Sequence, residues 1–144
     1  MKVIIIGGGA IGMMQARSLA QKGCEVVVLD KGLCGKESSW AGGGIVSPLY
    51  PWRYSNAVTT LASWSQGYYA NLVESLEAES DIAPELCRHG LMVLSVDDEE
   101  EALVWGERHQ YWLKQIATDE IYRLEPNLRE GLHRALYMPQ VASV

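Results

Sequence analysis

The stretch KVIIIGGGAIG, followed by EVVVLD, constrains this chain more than anything else in it. Residues 3–6 are an unbroken β-branched run cut off by three glycines, which suits a buried strand entering a tight turn. Ile11, Met14 and Leu19, with alanines nearby, recur at helical spacing over residues 10–22, and Gly23 supplies a stop. A second β-branched run then ends in Asp30. Strand, glycine turn, helix and strand in this order predict a βαβ unit.

Gly7, Gly9 and Gly12 fit the pattern G-x-G-x-x-G. Gly7 makes the turn, Gly9 lets the backbone approach a pyrophosphate, and Gly12 lets the helix pack against the strand. The helix N-terminus holds the phosphates, and Asp30 accepts hydrogen bonds from a ribose diol. A carboxylate in that position repels a 2′-phosphate, which argues against NADP and leaves NAD and FAD open.

Composition removes other classes of function. With 144 residues, a formal net charge of -6 and no Lys/Arg cluster, the chain has no electrostatic footprint for nucleic acid. Cys24, Cys34 and Cys87 show neither CxxC spacing nor a paired framework, so free thiols in a reducing cytoplasm are expected. The apolar start is too short for a signal peptide, and no stretch reaches the roughly 18 apolar residues of a membrane span.

The segment SSWAGGGIVSPLYPW separates the cofactors. Its small residues can bring several backbone N–H groups and the hydroxyls of Ser38 and Ser39 close to a ligand. With VIIIGGGAIG, RHGLMVLS, IYRLEPNL and ALYMPQVASV, this segment resembles the D-amino-acid-oxidase-like family of FAD-dependent amine oxidases, in particular the glycine oxidases of thiamine biosynthesis. The resemblance implies FAD, with Ala10 and Ile11 at the pyrophosphate turn and Asp30 and the Lys31 backbone at the adenosine ribose. It also implies Ser38 and Ser39 as the loop's hydroxyl pair and Gly43, Gly44 and Ile45 beside the flavin. Trp40 is either a flavin-side contact or a packing anchor.

Further on, apolar residues at helical intervals over 55–80 predict a long amphipathic helix whose Tyr68 and Tyr69 belong to the core. Residues 90–96 read as a strand. DDEEE at 97–101 reads as a solvated cap, not a metal site, on a helix reaching about Ile116. A turn follows around Pro126, then a short strand at ALYMP. His89, His109 and His133 are dispersed, with no metal-ligand spacing. The expected class is α/β: a Rossmann-like FAD/NAD(P)-binding βαβ fold over 1–84, then the beginning of a mixed α+β substrate-binding domain over 85–144.

For a complete enzyme, the resemblance implies oxidation of a small amine or amino acid to an imine. Hydride passes to flavin N5, and O2 reoxidises the flavin to give hydrogen peroxide. Self-association is left open. No catalytic side chain can be named, and none of Arg53, Arg88 or Arg123 matches the family's substrate-carboxylate arginine. The chain is therefore expected to be an N-terminal fragment that is inactive and prone to aggregation alone. A non-catalytic remnant and an NAD-dependent dehydrogenase are the alternatives.

Overall fold

The computed structural model describes all of residues 1–144 and divides into two compact units, Met1–Gly43 and Gly44–Val144. In the first, β1 (Lys2–Ile6) and β2 (Glu25–Leu29) pair in parallel from Lys2 opposite Glu25 to Ile6 opposite Leu29. They are joined by α1 (Ala10–Gln21). Gly7 continues the pairing by donating to the Leu29 carbonyl at 2.7 Å, then leaves the strand with φ +107°. At the other end of α1, Gly23 takes φ +79° and donates to the Ala20 carbonyl, which ends the helix as expected.

The strands differ from the expectation of full burial. α1 covers one face of the pair, where Ile5 is buried, while Ile4, Ile6 and Leu29 on the opposite face are exposed.

The second unit begins with an irregular segment and a single 3-10 turn at Pro51–Arg53, and continues into α2 (Asn56–Glu79). β3 (Leu91–Val93), α3 (Glu99–Arg108), β4 (Lys114–Ala117), α4 (Thr118–Leu124) and β5 (Arg134–Met138) complete it. The sheet is antiparallel with order β3-β5-β4, pairing Met92 with Tyr137 and Ile116 with Ala135. Ile116, Ile121, Leu132 and Ala135 form the core between sheet and α4. The last residues are bound on two sides: Val46 donates to the Ala142 carbonyl, Val144 to Gly44, and Cys87 and Ser143 exchange a pair of bonds at 2.9 Å.

Three expectations need correction. The helix expected to reach Ile116 stops at Arg108, because Gln110 adopts φ 51° and Tyr111 turns back to donate to the Gly106 carbonyl. Ile116 lies in β4 instead, where its β-branched side chain is buried. The turn around Pro126 is present as expected: α4 ends before it with Glu125 already outside helical geometry, and Pro126 and Asn127 form the turn. β3 is shorter than residues 90–96. Tyr68 is not in the core: it is exposed on α2 and stacks on Trp64 with centroids 5.2 Å apart.

The DDEEE cluster opens α3 as expected, but Asp98 is engaged rather than solvated. It receives bonds from Trp52 Nε1 and from two nitrogens of Arg53. The three cysteines are free thiols.

Candidate cofactor site

The turn between β1 and α1 is built by glycine for two separate reasons. A Cβ at Gly12 would fall on the carbonyl oxygen of Gly7, so only glycine lets the first turn of α1 approach the strand end this closely. Gly7 needs its positive φ, and nothing crowds it. Gly9 is the extended residue preceding α1.

Around this turn the polar groups are partly satisfied and partly free. Gly8 N–H donates to Asp30 Oδ2 at 2.7 Å and Gly32 N–H to Asp30 Oδ1 at 2.8 Å. These two bonds, the first the stronger influence, hold the Asp30 carboxyl below its usual range and keep it ionised. Each of its oxygens retains a lone pair for a further donor. Ala10 N–H donates to Ser39 Oγ at 2.9 Å, so the loop after β2 caps α1 from outside the helix. The Ser39 hydroxyl hydrogen is thereby left available to an anion. The N–H groups of Gly9, Ile11 and Gly12 find no acceptor in the chain. Three free donors at a helix N-terminus, beside a fixed carboxylate, match a pyrophosphate with an adjoining diol.

Each remaining residue singled out from the sequence has a definite position. Ile11 is exposed on the first turn of α1. Lys31 directs its ammonium to Glu37, 3.2 Å away at the surface. Ser38 is exposed beside Ser39 in the loop. Trp40 is exposed, with the Lys36 ammonium 3.4 Å from its ring centroid. Gly43 ends the first unit, and a Cβ there would meet nothing within 4 Å. Gly44 and Ile45 belong to the second unit. Gly44 has φ +69° and lies against the Val144 carbonyl oxygen, on which a Cβ would fall. Ile45 bridges to Ser143.

Sequence reasoning passed over Gly8, Gly32 and Cys34. A Cβ at Gly8 would collide with the Cys34 sulfur, and Gly35 N–H donates to the Gly8 carbonyl at 2.8 Å, so the loop after β2 folds closely over the turn. The signal was present in the middle glycine of GGG, at a position where G-x-G-x-x-G accepts any residue.

The model of the FAD dependent oxidoreductase family, DAO, matches residues 2–144. The chain belongs to that family. It is 48% identical to glycine oxidase of Pseudomonas aeruginosa over 143 residues, covering 99% of this chain and 39% of that one. Its identity to glycine oxidase of Pseudomonas putida is 51%, with the same coverage. The crystal structure of glycine oxidase from Bacillus cereus superposes with a TM-score of 0.88 at 25% identity, over 99% of this chain and 39% of that one. The chain thus spans about two-fifths of the length of these relatives. The α/β class with a Rossmann-like cofactor-binding unit, expected from the βαβ pattern, is the fold of the family.

Proposed function

We propose that this chain supplies the FAD-binding turn of an oxidoreductase of the glycine and D-amino-acid oxidase type. The activity of the whole protein is then oxidation of a small amine or amino acid to an imine, with O2 reduced to hydrogen peroxide, in thiamine biosynthesis. The cytoplasm is its proposed location, since its three free thiols suit a reducing compartment.

The observation that carries the reading is the pairing of free N–H donors at Gly9, Ile11 and Gly12 with an ionised Asp30 held by Gly8 and Gly32. Gly7, Gly9, Ala10, Ile11 and Gly12 hold the pyrophosphate; Asp30 and the Lys31 backbone hold the ribose. By resemblance to the family loop, Ser38 and Ser39 are its hydroxyl pair, and Gly43, Gly44 and Ile45 match its stretch beside the flavin. Bound FAD supplies the two-electron acceptor, and the chain's own groups bind and orient it. Residues 1–84 form the cofactor-binding region, and 85–144 begin the substrate-binding domain.

Incubating the purified chain with FAD or with NAD, then desalting, tests this. Flavin absorbance retained by the wild type, with NAD lost, is the expected result. Retention of NAD in place of FAD would contradict it.

A further inference from the structure

The second unit contains a cleft of about 500 Å³ that has no part in the reading above and stands whether or not the glycine turn holds FAD. Its volume falls in the range of small-molecule sites. Val46, Tyr69, Leu86 and Ala142 give it apolar walls. Arg88 is its one charged lining residue, with His109 also in the lining, and no Asp or Glu lines it in a chain that carries 18 acids.

Both basic side chains are uncommitted. Arg88 is exposed and makes no ion pair or hydrogen bond, unlike Arg53, Arg123 and Arg134, each of which is paired with an acid. The Nε2 atom of His109 is buried without a hydrogen-bond partner, while its ring packs 5.1 Å from Trp105. A guanidinium offers a planar fork matched to a carboxylate.

We infer that this cleft binds an organic carboxylate with an apolar body, its carboxylate on the Arg88 guanidinium. The fork selects the acid group, and the walls formed by Val46, Tyr69, Leu86 and Ala142 select the hydrocarbon part. Inorganic anions satisfy only the first requirement, and neutral amides only the second.

The flavin-free chain is titrated with hexanoate, hexanamide and inorganic phosphate while the His109 ring resonances are followed by proton–nitrogen correlation. Hexanoate should give a saturable shift, and the other two should bind at least about tenfold more weakly. Arg88→Gln should weaken hexanoate by about tenfold or more, with the amide fingerprint of the fold unchanged. Hexanamide or phosphate binding as tightly as hexanoate, or unchanged affinity in Arg88→Gln, would overturn the assignment.

Discussion

Arg53 closes a two-point fork on Asp98, with Nε 2.6 Å from Oδ2 and Nη2 2.8 Å from Oδ1. Trp52 Nε1 adds a third bond to Oδ2 at 2.8 Å, and the Arg53 guanidinium also lies over the Tyr50 ring. The 3-10 turn Pro51–Arg53 is therefore tied to the residue that opens α3.

A pH dependence follows from this fork. The bond from Arg53, then that from Trp52, lowers the Asp98 carboxyl from 3.8 to about 2. A depressed carboxyl contributes stability fully above its unfolded value and loses it as pH falls through the folded one. Asp98→Asn should therefore lower Tm at neutral pH, and the gap from wild type should shrink below about pH 4 and be mostly gone by about pH 2. Thermal melts across that range check it; a gap that stays constant with pH would count against the fork as its source.

Gly43 and Gly44 should respond differently to the same substitution. Gly44→Ala forces an alanine into left-handed backbone, at a cost of about 1–2 kcal/mol, and drives its Cβ onto the Val144 carbonyl oxygen. It should lower the denaturation midpoint measurably. Gly43→Ala meets open space and should leave the midpoint unchanged. If Gly43 lies beside flavin, Gly43→Val keeps the fold but yields a colourless protein after incubation with FAD.

Ser39→Ala removes the acceptor of the Ala10 N–H and should cost about 0.5–1.5 kcal/mol of stability. It should also weaken FAD, because the hydroxyl beside the turn is lost. Denaturant titration and flavin fluorescence read the two effects separately. An unaltered stability would mean that the bond between loop and helix contributes nothing in solution.

The parts legible in the sequence were those fixed by local pattern. Residues 2–30 were readable because strand runs, the glycine turn and the Gly23 stop are each local signals, and α2 falls within its expected bounds because helical periodicity persists along it. The end of α3 was missed because it depends on the single left-handed Gln110 and on Tyr111 turning back to Gly106. The strand at Ile116 was missed because its partner, Ala135, is distant in sequence. In the cofactor site, Asp30 was readable from its spacing. Its bond to Gly8, and the reach of Ser39 to Ala10, arise only when the loop folds over the turn. The double requirement at Gly44 depends on the Val144 carbonyl at the far end of the chain.

Gly12→Ala tests the turn's geometry. The new methyl group would displace the Gly7 carbonyl or the first turn of α1. The variant should lose FAD affinity more completely than Asp30→Ala, which removes the ribose contacts and the bonds from Gly8 and Gly32 but leaves the close approach of α1 to Gly7, and should weaken binding by roughly tenfold. Equilibrium dialysis against FAD ranks the two, and equal affinity of Gly12→Ala and wild type would show that the close approach of α1 to Gly7 does not matter to the ligand.

The most direct measurement is the effect of FAD on the backbone amide resonances of the nitrogen-15-labelled chain. If the glycine turn is the pyrophosphate site, Gly9, Ile11 and Gly12 should show the largest saturable shifts, and the Asp30→Ala variant should need roughly tenfold more FAD to reach them. Saturable binding that leaves those three amides unmoved, or that is indifferent to Asp30→Ala, would contradict the account.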